Sequence, residues 1–376
     1  MRRKRKIAIV GAGLGGCVTA MHYQFYGRDI IDKIDIYHDP NSPMEKVGQG
    51  TTPNISSLLF FVHDNRWHNE EWNKVKATIK LGSQYEGWGK RDVFHHFSLN
   101  TIAQHYIPEL LSKTILESGV YNVIEKNIDD PEKEIDSDII FDCRGRKGTN
   151  PEDYDTLDNP LNAVLLGRRE GREPELQWTK SVATPDGWTF VIPNHDSVSY
   201  GYLYNSNITS KEDATKNMIE LFDIEPNDAL DFNNYIAKNI FRGERTVLNG
   251  NRVGFLEPLE ATSGGFYKSV AEYAWDHFIG HVDKRTANAR AQKMMKSIAT
   301  FILWHYGKGS YKYDTPFWQY AMKMWKDHTP YGTFDTILER SRGMDHIDML
   351  KDADLYGQWY SFSFKQWEES YQEVYP

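Results

Sequence analysis

Apolar positions along this chain fall into two periods, and the switches between them divide it. Ile7–Val10 is an unbroken apolar run, the pattern of a strand buried on both faces. It runs into Gly11-Ala12-Gly13-Leu14-Gly15-Gly16, after which Leu14, Val18, Met21 and Phe25 recur at helical spacing until Gly27. The unit reads strand, glycine turn, helix. Ile34–Tyr37 and Ile139–Phe141 predict further strands, the second ending in Asp142-Cys143-Arg144-Gly145. From about Asn150 the pattern shortens to aromatic and β-branched runs, Trp188–Ile192 and Ser199–Tyr204, with turn signals at Pro185-Asp186-Gly187 and Pro193-Asn194, which predicts an antiparallel sheet. Lys211–Phe222 and Asp228–Ile240 read as helices, and Val247–Phe255 as a return to the first domain. Phe266–Ile279 and Arg285–Tyr306 predict two more helices, the second carrying Ala291, Met294, Ile298, Phe301 and His305 on one face before Gly307 and Gly309 stop it. Beyond Lys326 the chain is rich in Trp, Tyr and Asp without clear period and reads as irregular helices capping the core.

This order predicts an α/β fold: a Rossmann-like nucleotide-binding domain, an inserted antiparallel sheet and a C-terminal helical region. The expected divisions are 1–150 with 241–280 for a discontinuous cofactor domain, 151–240 for the sheet and substrate region, and 281–376 for the helical cap. A length of 376 residues suffices for such a core.

Composition changes this picture little. A net charge of -9 argues against nonspecific nucleic-acid binding despite the basic start at Arg2, Arg3, Lys4, Arg5 and Lys6. No apolar run approaches the roughly 20 residues that cross a bilayer, and the amino terminus has no signal-peptide pattern, so a cytoplasmic protein is expected. The two cysteines, Cys17 and Cys143, suit a reducing compartment rather than a disulfide framework. His277 and His281 are spaced i, i+4 but lack a third ligand, so no metal site is expected.

Gly11, Gly13 and Gly16 form G-x-G-x-x-G directly after a strand, where the first glycine permits the turn, the second admits a pyrophosphate and the third lets helix and strand pack closely. Asp39 stands where a ribose-binding carboxylate is expected, although it equally suits a turn with Pro40 and Asn41. Val47–Pro53, VGQGTTP, reads as a connection; Lys80, in TIKLGSQYEGW, reads as a strand lysine facing solvent; and Phe94-His95-His96-Phe97 suits either an aromatic pocket or a packed core. The densest stretch is Gly250–Gly265, GNRVGFLEPLEATSGG, which reads as the wall between cofactor and substrate.

Together GAGLGG, VGQGTTP, TIKLGSQYEGW and GFLEPLEATS resemble the flavin-dependent halogenases of the tryptophan-halogenase type, whose stretches read GxGxxG, VGEATIP, a T-x-K-x-G segment holding an essential lysine, and GFLEPLEST-G. Gly187–Pro193 is similar to the family's WxWxIP, with Phe190 for its second Trp, and His305-Tyr306 with Asp314–Trp318 continue the match; the residues after Gln319 find no place in it.

The resemblance implies that the Rossmann-like domain is an FAD-binding domain of the flavin-monooxygenase type, and it implies a chemistry: a separate NAD(P)H-dependent flavin reductase supplies FADH2, O2 gives a flavin hydroperoxide, halide attack gives hypohalous acid, and Lys80 receives it beside a small aromatic substrate. It implies Glu260 as the acid–base partner and the amides of Thr262 and Ser263 as the halide site. Gly11, Gly13, Leu14, Gly16, Asp39, Gln49, Gly50, Gly250 and Asn251 would hold FAD; His95, Phe97, Trp188, Phe190, Ile192, Pro193, Phe255 and Pro258 would line the substrate pocket. Gln49 stands for the family's glutamate, His38 where an acidic residue is usual, and Ser263 for a glycine. The chain is shorter than the tryptophan-specific members, so phenols, indoles or similar arenes are expected rather than free tryptophan. An FAD-dependent aromatic monooxygenase or oxidoreductase, a non-catalytic FAD-binding protein, and a homo-oligomeric state stay open.

Overall fold

The computed structural model describes residues 4–42, 48–97, 101–331, 334–343, 359 and 361–372. Val47, Arg2 and Arg3 lie outside them. The strand predicted at Ile7–Val10 is Arg5–Val10, and it sits at the centre of a six-stranded sheet. Ile31–His38 pairs with it in parallel on one side and Ile139–Asp142 on the other, placing Ile7 against both Ile34 and Ile139. Thr246–Leu248 adds in parallel beside Ile139–Asp142, so the chain after residue 240 rejoins the sheet that opened it. Carboxyl ends of parallel strands therefore converge at Gly11 and Cys143, where such sheets bind ligands.

A seven-stranded sheet runs in the order Asp228–Asp231, Ala163–Glu170, Ser197–Tyr204, Gly187–Pro193, Thr179–Thr184, Gly82–Glu86, Val93–His96. Its pairings are antiparallel except Thr179–Thr184 with Gly82–Glu86. Two of its strands thus come from the first 100 residues, and they carry His95 into a sheet built mainly by residues 163–231. A small sheet of Gln49–Gly50, Ala103–Tyr106 and Thr78–Lys80 joins the two layers.

The helix expected over Asp228–Ile240 is not formed: Asp228–Asp231 and Tyr235–Ala237 are strands. Asn234 breaks the segment, its side chain donating to Leu161 O at 3.1 Å and accepting from the Glu257 amide at 2.8 Å. Edge pairing with Ala163–Leu166 then satisfies the backbone that a helix would have used.

Helix Ser263–Phe278 packs on Leu14–Tyr26, and Lys284–His305 packs behind it. Asp283 caps the long helix by accepting from the Thr286 amide at 2.7 Å, and the helix ends in a tighter turn at Tyr306–Lys308 with Gly309 at φ 71°. Phe334–Gly343 and Ser361–Ser370 are helices of the tail and bring Phe334, Phe364 and Trp367 into the core. Among the described residues no helix is long and apolar enough to cross a membrane.

Candidate active site

A cavity of about 1940 Å³ opens at the strand ends and is lined by Gly11–Gly15, Asp39, Gln49, Gly50, Arg144, Asn251 and Ser263 among others. Gly11 needs its glycine for conformation, at φ +101°, and for space, since a Cβ would lie 3.0 Å from the Cys143 carbonyl. A Cβ on Gly13 would meet nothing within 4 Å, leaving that backbone open to the cavity, while one on Gly16 would fall 1.9 Å from Gly11 O. The three glycines thus meet the demands of a dinucleotide turn. Asp39 lines the cavity and also accepts from the Asn41 amide at 2.9 Å, the turn contact expected with Pro40 and Asn41.

Gly250 and Gly16 do not line the cavity: Gly250 is pressed against Gly15, whose Cβ would come 2.3 Å from Gly250 Cα. Gly250 therefore sets the seat of the first helix. Buried Asp142 fixes the neighbouring loop through Arg144, at 2.8 Å to each carboxylate oxygen, and Arg252 Nε at 2.9 Å.

Lys80 is not on the surface. It is 1% exposed, with Nζ 3.4 Å from Thr51 O and 5.4 Å from the Phe97 ring centroid. Burial lowers its pKa to about 8, against the opposing pull of Glu260. Its strand is tied to the Gly187–Pro193 strand by the Thr78 hydroxyl, which donates to Pro193 O at 2.7 Å. His105, on the strand between Lys80 and Gly50, meets the Thr179 hydroxyl at 2.9 Å, and burial and then Lys80 hold its pKa well below the ordinary histidine value.

Glu260 is equally buried, and its carboxylate collects three groups. Tyr85 OH donates to Oε1, His305 Nε2 stands 3.0 Å from the same oxygen, and Trp359 Nε1 donates to Oε2 at 2.8 Å. His305 Nδ1 lies 2.9 Å from Phe301 O, a carbonyl to which it can only donate. Burial works to raise the Glu260 pKa, but the His305 contact, His95 and Tyr85 bring it below the usual value. The side chain is held as an anion near Lys80.

His95 and Phe97 stand here, away from the large cavity, and the slot beside them is filled: Trp359 stacks on the His95 ring at 5.0 Å and 22°. Nothing in the aperiodic tail marked Trp359 as a partner of Glu260. Of the other expected pocket residues, Phe190, Ile192, Phe255 and Pro258 line the large cavity; Trp188 and Pro193 do not.

Trp188 instead serves Glu257, a carboxylate that sequence reasoning passed over. Its Nε1 donates to Glu257 at 2.8 Å, joined by Tyr306 OH at 2.5 Å and Asn159 Nδ2 at 3.1 Å. Adjacent His305 and Tyr306 thus hold the two glutamates of LEPLE. Burial raises the Glu257 pKa from 4.5 to about 7. Between those values the folded chain keeps a proton that the unfolded chain has released, so stability falls as pH rises. Relative to Glu257→Gln, the protein should lose about 3 kcal/mol over that window, at 1.36 kcal/mol per pKa unit. Urea unfolding of both proteins across the pH series measures it; parallel curves would refute it.

Thr262 and Ser263 open helix Ser263–Phe278, after Ala261 at φ 49°. A Cβ on Gly265 would lie 3.9 Å from Thr52 Oγ1, and Thr52 stands at the N-cap position of helix Pro53–His63 without a side-chain capping bond, so two helix N-termini converge there. Thr52 Oγ1 is buried without a hydrogen-bond partner among the described residues. Two positive helix ends and a spare hydroxyl suit a small anion.

The sequence model of the family "Tryptophan halogenase" matches residues 6–118 and 117–373. Tryptophan 6-halogenase SttH of Streptomyces toxytricini is 26% identical over 272 residues, which is 63% of this chain and 50% of SttH. Tryptophan 6-halogenase ThaL of Streptomyces albogriseolus is 28% identical over an alignment covering 84% of this chain and 78% of ThaL. The chain therefore spans about half the length of the first of these relatives and more of the second. In structure it is similar to BrvH, a flavin-dependent halogenase from Brevundimonas sp. BAL3, with a TM-score of 0.77 at 19% identity over 98% of this chain and 90% of that one. Xcc4156, a flavin-dependent halogenase from Xanthomonas campestris, gives 0.77 at 18% identity over 97% and 89%.

Proposed function

This chain belongs to the tryptophan halogenase family, and we propose on that footing that it halogenates a small electron-rich aromatic of the indole or phenol type, with Lys80 and Glu260 as its catalytic pair. One observation carries the reading: a fully buried amine with a pKa lowered to about 8 stands in electrostatic range of a buried, oriented carboxylate, behind a cavity of dinucleotide size.

Gly11, Gly13 and Leu14 would hold the FAD pyrophosphate, Asp39 a ribose, and Gln49 and Asn251 the far end of the cofactor, while Thr262, Ser263 and Thr52 would hold the halide. Bound there, FADH2 from a separate NAD(P)H-dependent flavin reductase would supply the chemistry that turns O2 and halide into hypohalous acid. Below pH 8 Lys80 is an ammonium that hydrogen-bonds the oxygen of this acid and keeps it beside the arene. As the ring carbon bonds to the halogen, the O–halogen bond breaks and its electron pair stays on oxygen, which leaves as water with a proton from Lys80. Glu260 takes the ring proton as aromaticity returns. Phe190 and Ile192 keep the oxidant from bulk water on the cavity side.

The test is mass spectrometry of a panel of indoles and phenols incubated with the protein, FAD, a flavin reductase, NADH and chloride, bromide or iodide. Halogenated products that disappear when the halide is omitted are expected. Hydroxylated products formed without halide would replace this reading by a monooxygenase.

A further inference from the structure

Gly50 is a glycine that backbone conformation does not require. It sits in the short strand Gln49–Gly50, paired with His105, and its φ is outside the left-handed region. What it provides is space. A Cβ at this position would lie 3.0 Å from Lys80 Nζ and 3.1 Å from Thr179 Oγ1, close enough that each must give by a few tenths of an ångström, and in ordinary contact at 3.6 Å with His105 Cδ2. Gly50 and Thr179 line the large cavity and Lys80 does not. The gap left by the missing methyl is therefore where the cavity comes up against the buried amine.

Lys80 has little freedom to retreat from an added methyl, because Nζ already lies 3.4 Å from Thr51 O and beside the Phe97 ring. The space in front of the amine is the volume that a methyl at position 50 would take up. A halogen on oxygen held at Nζ occupies the same space.

We infer that Gly50 forms the opening through which the halogen reaches Lys80, and that its missing side chain adapts the site to bromine or iodine over the smaller chlorine. The inference rests on the halogenase reading and names the halide class that reading leaves unspecified. Thr179 forms the opposite rim, held by its hydroxyl on His105 at 2.9 Å.

The experiment compares wild type with Gly50→Ala, each with FAD, flavin reductase, NADH, indole and equimolar chloride and bromide. Gly50→Ala should lower the ratio of bromoindole to chloroindole about tenfold, the lower end of what one methylene in a pocket achieves. A ratio that stays within about twofold of wild type, with FAD binding and melting temperature unchanged, overturns the inference. If Gly50→Ala does not fold or bind FAD, Thr179→Ser decides: it removes a methyl from the opposite rim, keeps the hydroxyl, and should raise the ratio. An unchanged or lower ratio in that variant overturns the proposal. Wild type that halogenates neither indole nor phenol with any halide overturns the functional reading itself, an outcome distinct from an unmoved ratio.

Discussion

Lys80→Ala should lower halogenation by roughly 10²–10⁴-fold, the range of a positioned proton donor, while FAD binding persists. The separation is expected because Lys80 does not line the large cavity and contacts neither the glycine turn nor Asp39. Arg is a poor substitute: its planar, strongly basic head does not fit a site where burial lowers the amine pKa to about 8. The same burial sets the pH dependence. The ammonium is present below about 8 and is lost above it, so halogenation should fall through that value.

Stability should move the other way. Lys80→Met keeps the volume and removes a desolvated charge, so it should melt above wild type at pH 7. The gain shrinks as pH rises from about 8 to 10.5, because the folded wild type has then released a proton that its unfolded chain still binds. The change over that window is about 3 kcal/mol by the same linkage. A Lys80→Ala protein with wild-type turnover, measured by product mass spectrometry, would sink the mechanism.

Glu260→Gln should be nearly as damaging, by roughly 10²–10⁴-fold, because an amide cannot take up the ring proton. It also disturbs the site's geometry. The carboxylate faces Tyr85 OH, His305 Nε2 and Trp359 Nε1 with acceptors on both oxygens. An amide offers one oxygen, so its NH2 must face a donor, leaving a buried group unpaired at about 1–3 kcal/mol. Glu260→Asp, which keeps the charge, is the control that separates the two effects: activity recovered by Asp and not by Gln indicates proton transfer. Equal, small losses in both would assign Glu260 a structural role only. The measurements are turnover and thermal melting of the three proteins.

How much of this was legible in the chain depends on the range over which each feature is determined. The glycine turn was readable because its causes are local: Gly11 needs a left-handed φ and Gly16 must clear the Gly11 carbonyl five residues earlier. Asp228–Ile240 reads as a helix and is not one because its strands are satisfied by partners far along the chain, Ala163–Leu166 and Gly254–Phe255, which no local period reports. Glu257 and Glu260 look alike in LEPLE. They differ because Trp188, Tyr306 and Asn159 surround one, while Tyr85, His305 and Trp359 surround the other.

The strand–turn–helix start, the return of the chain to its first sheet, and the residue types of Lys80 and Glu260 can all be read without a structure. Hydrogen bonding and periodicity over a few residues suffice for the first, and covalent identity for the last. Folding in three dimensions was needed to show that Lys80 is buried, that Trp359 fills the slot beside His95, and that Gly50 leaves an opening before the amine. Depth, vacancy and electrostatic neighbourhood are properties of what packs there from elsewhere. Here that packing comes from strands near residues 50, 80, 105 and 179 and from a tail whose aromatic residues carry no period.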